Sequence, residues 1–95
     1  MKIIWSPTAV SDLESIRAYI ARDNRVAARK VSLQIKESVN RLTRFPLSGR
    51  KGRVPGTREL VIPGTSFIAA YKIQGKNVLI AAVLHGRQNW PKSFL

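Results

Sequence analysis

Apolar residues along this chain recur first at helical spacing and then, after Phe45, in short runs separated by turn residues. Ala9, Leu13, Ile16 and Ile20 fall on one face of a helix, and so do Ala28, Val31, Ile35, Val39 and Leu42. Lys2–Trp5 ahead of them is a short β-branched and aromatic run, which predicts a strand. Ser6 is placed to cap the first helix, Pro7 suits its first position, and Asp12 and Glu14 lie near its positive end. Asp23-Asn24 interrupts the pattern and is placed to cap a second helix, which Phe45-Pro46 ends. Arg29, Lys30, Lys36 and Arg41 lie mainly off its apolar stripe. The prediction is a helical hairpin.

Pro46–Gly56 reads as a loop by its Gly and Pro content and carries Arg50, Lys51 and Arg53. A meander follows: a strand over Thr57–Ile62, Pro63-Gly64 at the centre of a type II turn, a strand over Phe67–Ile73, and a turn at Gln74–Lys76. Val78 to Leu84 is uninterrupted apolar sequence, which predicts an interior strand buried on both faces. The predicted architecture is α+β: one domain over residues 1–95, with the helical hairpin packed on one face of an antiparallel sheet.

Charge changes the picture. The chain holds 17 Lys+Arg against 5 Asp+Glu, a net charge of +12 and a pI near 11.5. After Phe45 the one remaining acid is Glu59, so the C-terminal half carries the positive field. A field of that size on a small domain points to a polyanion or a strongly acidic partner. The absence of cysteine excludes a disulfide framework, a thiolate nucleophile and a cysteine zinc cluster. The lone histidine and scattered carboxylates have no metal-site spacing, and the loop glycines do not match a phosphate-binding loop, so no cofactor is expected. The first residues lack the apolar core of a signal peptide, and the longest apolar run is too short to span a bilayer. A reducing cytoplasm is the expected compartment.

The last strand delivers His85, Arg87, Gln88, Asn89 and Trp90 in quick succession. Alternation puts Arg58, Leu60 and Ile62 on one face of the first meander strand and Glu59 on the other. Arg53, Arg58 or Glu59, Lys72 and the tail from His85 could therefore converge on the sheet face that the helices leave free. Arginine and lysine suit phosphate, histidine suits proton transfer near neutral pH, and Trp90 suits stacking on a base. Such a set could bind RNA and stabilise attack by a 2′-hydroxyl on the adjacent phosphate without metal. Simpler roles stand beside these: Trp90 as a lid on the core, Glu59 as partner to a neighbouring arginine, and Tyr71 as a core residue with its hydroxyl at the rim.

The order of elements, together with Asp12-Leu13, Ile16, Tyr19-Ile20, Phe45-Pro46, the run Gly52–Val61 and the run His85–Pro91, resembles the RelE/ParE superfamily of bacterial toxins. The resemblance covers essentially the whole chain. It implies the toxin of a type II toxin–antitoxin module, held in a hetero-oligomer with an acidic antitoxin and without a membrane partner. Two targets go with the superfamily: mRNA in the ribosomal A site for RelE-type members, and DNA gyrase for ParE-type members. RelE-type sites carry basic residues on the first meander strand, an arginine on the middle strand, and an arginine, histidine or tyrosine near the C-terminus. Arg58 fills the first place, and His85 and Arg87 the last, as the catalytic set a ribonuclease would use. Ile68 stands near where the middle-strand arginine is expected, and isoleucine cannot bind phosphate. The Arg53-Val54-Pro55-Gly56 stretch and the tail lean to ParE. Arg50, Lys51, Arg53, Lys72 and Trp90 are then the expected target-binding residues. A non-toxic nucleic-acid-binding module, resting on charge alone, is a third reading.

Overall fold

The computed structural model describes residues 1–94. β1 (Lys2–Trp5) leads into α1 (Pro7–Ala21) and α2 (Arg25–Asn40). A 3-10 turn follows at Arg41–Thr43, then β2 (Arg50–Lys51), β3 (Arg58–Val61), β4 (Phe67–Gln74) and β5 (Asn77–His85). Ser6 caps α1 by accepting the Ala9 N–H at 3.0 Å, and Asn24 caps α2 by accepting the Ala27 N–H at 2.9 Å. Both are the side-chain acceptors that a helix start needs. α2 stops five residues short of Phe45-Pro46, and the 3-10 turn seats Leu42 fully in the core.

The sheet order is β1-β5-β4-β3-β2. Two features differ from the expected antiparallel meander. β1 runs parallel to β5, because the helical hairpin returns the chain to the same end of the sheet. Within the expected loop 46–56, Arg50 and Lys51 form a two-residue strand against Glu59 and Arg58. The helices pack on one face. Ile35, Val39 and Leu42 meet Ile62, Ala69, Tyr71, Val78, Ile80 and Val83 there, with Leu13 and Ile16 at the margin. Gly64 takes φ 73°, the left-handed conformation that the turn after Pro63 requires.

β5 carries a bulge: its pairing passes from Ala70↔Ala82 to Tyr71↔Ile80, leaving Ala81 as the extra residue. One extra residue reverses the alternation of side chains. Val78 and Ile80 before the bulge and Val83 after it therefore share the core face. His85 is carried to that same face, opposite Phe67.

Candidate functional site

On the sheet face away from the helices, Glu59 is 2% exposed and gathers the basic loop around itself. Its carboxylate accepts the Arg53 backbone N–H at 2.7 Å and the Arg53 Nε–H at 3.1 Å, both on Oε2. Oε1 accepts from Arg50 Nη2 at 3.0 Å and from Arg53 Nη2 at 3.2 Å. Burial alone pushes the Glu59 carboxyl up. The Arg53 backbone N–H, the guanidinium hydrogen bonds from Arg53 and Arg50, and the Arg53 charge outweigh it and hold the group below its ordinary value. The Arg53 guanidinium lies 3.8 Å over the Trp90 ring. Trp90 in turn donates its indole N–H to the His85 carbonyl and meets Phe94 edge-on. Beyond Trp90, Pro91, Ser93 and Phe94 border one open hollow with Ala82 and Leu84, both of them buried.

On the helix-side face, Arg58 turns its guanidinium back into the preceding loop. It donates to the Gly49 carbonyl at 2.8 Å and more weakly to the Leu47 carbonyl. Tyr71, fully buried below it, donates its hydroxyl to the Pro46 carbonyl at 2.7 Å and accepts the Gly49 N–H at 2.9 Å. A Cβ at position 49 would come within 2.6 Å of the tyrosine ring, so glycine is needed for this close approach. Burial pushes the Tyr71 hydroxyl up, and the Gly49 N–H and the Arg58 charge only partly offset it. His85 packs edge-on to Phe67, with ring centroids 5.7 Å apart. Its Nδ1 accepts the Arg87 N–H at 3.1 Å. A neutral ring bonded in this way carries its proton on Nε2.

The residues expected to converge are therefore divided. Arg50, Arg53 and Trp90 come together around Glu59, with Lys51 exposed beside them. Lys72 borders a separate open hollow with Asp12, Leu79, Leu84 and Phe94. Arg58 and His85 sit on the opposite face from Glu59. Arg58 pairs with Tyr71 and His85 with Phe67, so four residues of β4 and two strand spacings lie between them. At ordinary strand dimensions that is about 13 Å along the strands and about 10 Å across them. Arg87 is exposed, next to His85. Arg50 and Arg53 carry one net positive charge once Glu59 is counted, which lowers what this part of the loop offers a polyanion. Among the described residues no cluster of three or more His, Asp or Glu is placed to hold a metal ion.

Sequence reasoning missed what closes the outer edge of β5. Ser6 Oγ donates to the Ala81 carbonyl at 2.9 Å, Asp12 accepts the Val83 N–H at 2.9 Å, and Gln88 accepts the His85 N–H at 2.8 Å. Asp12, read as a helix-dipole residue, lies beyond the first turn of α1 and serves the strand instead. Nothing local distinguishes those two uses of an acid near a helix start.

The domain is basic and two-layered, with a helical hairpin on a five-stranded sheet, and comparison gives its class. A structure titled as the chromosomal ParDE toxin–antitoxin system of P. aeruginosa superposes with a TM-score of 0.80. It is 28% identical and covers 90% of this chain and 95% of that one. Y4kP of Sinorhizobium fredii, a toxin-family protein, is 40% identical over 91 residues, 96% of this chain and 94% of its own. Toxin RelE2 of Caulobacter vibrioides is 31% identical over 74 residues, 78% of this chain and 83% of its own. The profile for the ParE toxin of type II toxin–antitoxin systems, parDE, matches residues 3–90. The chain belongs to the ParE toxin family.

Proposed function

We propose that this toxin arrests growth in the bacterial cytoplasm by ParE-like inhibition of DNA gyrase, and that an acidic antitoxin holds it in check as a hetero-oligomer. The observation that carries the reading is the separation of Arg58 from His85; Ile68, near where the resemblance expects a phosphate-binding arginine, is a buried apolar residue on the opposite sheet face. A phosphoryl-transfer site needs its cation and its proton-transfer group within reach of one phosphate. Here the Arg58 guanidinium is already spent on two loop carbonyls, on the side away from β5. Inhibition of gyrase asks only for a surface. Arg50, Lys51, Arg53, Lys72 and Trp90, the segment 87–95 and the helical hairpin are its candidate parts.

The test is purified toxin added to gyrase and supercoiled plasmid, with translating ribosomes assayed in parallel. Loss of supercoiling with intact A-site mRNA is the expected result. A second reading, ribosome-dependent mRNA cleavage, draws support from the 31% identity to a protein named RelE2 and from the ring nitrogen that His85 leaves free. Under it Arg58 and Arg87 would bind phosphate charge and His85 would move the proton. A-site cleavage that His85→Ala abolishes would replace the gyrase reading.

A further inference from the structure

Past the end of β5 the chain has few ties to the body beside it. The Gly86 N–H bonds the Ser66 carbonyl at 2.9 Å, and the Gln88 N–H closes a turn on the His85 carbonyl at 3.1 Å. From Asn89 to Phe94 one hydrogen bond is made among the described residues, from the Trp90 indole N–H to the His85 carbonyl at 3.4 Å. That bond is long and stays close to the segment's own turn. Pro91, Ser93 and Phe94 share an open hollow of about 630 Å³ with Lys72 and Leu79. The polar tie from this segment to another part of the fold is the Arg53 guanidinium, 3.8 Å over the Trp90 ring.

Arg53 is itself held twice by one carboxylate. Its backbone N–H and its Nε–H reach Oε2 of Glu59 at 2.7 and 3.1 Å, and Nη2 reaches Oε1 at 3.2 Å. Glu59 is buried in β3, between β2 and β4, so its carboxylate is a fixed point. The guanidinium thus gives one edge to a carboxylate and one face to an indole ring. Its planarity and its fork of donors make both possible at once, and the ammonium of a lysine has neither. Its charge is answered at contact by Glu59, which Arg50 shares. Lys51, exposed and without an ion pair among the described residues, is left as the free cation of β2.

We propose that Arg53 is a positioning residue: it takes its orientation from Glu59 and passes it to Trp90, so that the C-terminal tail is presented to the target in one arrangement. Its part in the target-binding surface is orientation, not charge. This rests on the reading of the segment from Arg87 onward as part of that surface, which the gyrase and ribosome readings share. A tail fixed in advance binds at lower ordering cost than one the target must fix for itself.

The full-length toxin is prepared with fluorine-labelled tryptophan, which gives one fluorine resonance for each of its two tryptophans. Trp5 packs against the core and serves as the internal reference. Arg53→Lys keeps the charge, and Glu59→Gln keeps the shape. Each should move the Trp90 resonance toward its position in the urea-unfolded chain and leave that of Trp5 in place. Each should also raise the toxin level needed for growth arrest roughly tenfold, because the target must then order a loosened tail. In a Trp90→Ala background, Arg53→Lys should cost no further potency, since both act through one contact. Lys51→Gln, the control for charge, should leave the Trp90 resonance where it is. If Glu59→Gln does not fold, Arg53→Lys carries the decision, because that side chain is 42% exposed.

A Trp90 resonance unmoved by Arg53→Lys overturns the proposal, and so does one moved by Lys51→Gln. Losses that add when Arg53→Lys is combined with Trp90→Ala overturn it too, and make Arg53 a direct contact with the target. Full potency in a variant whose Trp90 resonance has moved overturns it by removing the tail from the target surface. Growth arrest with gyrase untouched removes the gyrase reading alone, and the same variants still decide. A wild-type chain that fails to arrest growth takes the toxin reading and the proposal down together.

Discussion

Along β5, past the end of β1, three side chains from three different segments take up backbone groups: Ser6 the Ala81 carbonyl, Asp12 the Val83 N–H and Gln88 the His85 N–H. Along β3, past the end of β2, nothing comparable reaches Val61 among the described residues. An unprotected strand edge is a template for further pairing, and proteins commonly blunt it. Here one edge is sealed by specific side chains, and the other is closed by Glu59 and its arginines up to the point where it opens. The difference teaches that edge protection in this small sheet is placed residue by residue, so each residue's share can be removed and measured.

The largest effect is expected where the closed part of the β3 edge is broken. Glu59→Ala removes the acceptor for one backbone N–H and two guanidinium groups, and should cost about 2–3 kcal/mol in urea unfolding. The arginines are half exposed and recover water, which keeps the figure below that of a fully buried pair. pH sharpens the same test. The Glu59 carboxyl is held below the ordinary value of 4.5 in the fold, so the unfolded chain binds more protons as pH drops below that value. Its share of stability is present above that pH and is lost as pH falls through the lowered folded value. Glu59→Gln should flatten that acid limb, and an unchanged limb would assign it to other carboxylates.

On the sealed edge, Asp12→Ala strands the buried Val83 N–H and should cost about 1–3 kcal/mol. Ser6→Ala loses a cap and the bond to Ala81 together, at about 1–2 kcal/mol. For a domain of this length each kcal/mol lowers the melting temperature by about 4–8 °C. Val61→Lys at the open edge should change the free toxin by less than about 0.5 kcal/mol. A loss as large as that of Asp12→Ala would mean that Val61 already has a structural partner and that the contrast between the edges is false.

Much of this was legible in the chain. Ser6-Pro7 and Asn24 announced their helices through side-chain acceptors, and the apolar stripe named Ala28, Ile35 and Val39 of α2 as buried but not Ser32 and Ser38 between them. Pro63-Gly64 gave the turn, and Val78 to Leu84 gave a strand covered on both faces. What stayed hidden depends on register and distance. Arg50-Lys51 is too short, too charged and too close to glycine to signal a strand, and it becomes one by pairing with β3. The Ala81 bulge has no sequence mark, yet it decides which face His85 occupies. Arg58 and Glu59 are neighbours whose opposite fates follow from alternation, but that Arg58 folds back on Gly49 depends on where Tyr71 holds the 46–49 loop.

The parallel pairing of β1 with β5 also sets a schedule for synthesis. Lys2 N–H bonds the Lys76 carbonyl, and Ser6 bonds Ala81 across 75 positions of sequence. The helical hairpin makes its contacts locally and can assemble early, but the first strand must wait for the last, a delay of about 4–15 s at ordinary elongation rates of about 5–20 residues per second. Long-range closure of this kind is slow to nucleate. The sheet is therefore completed only after β5 has been made, and a nascent chain cut short before β5 leaves the first strand with no neighbour.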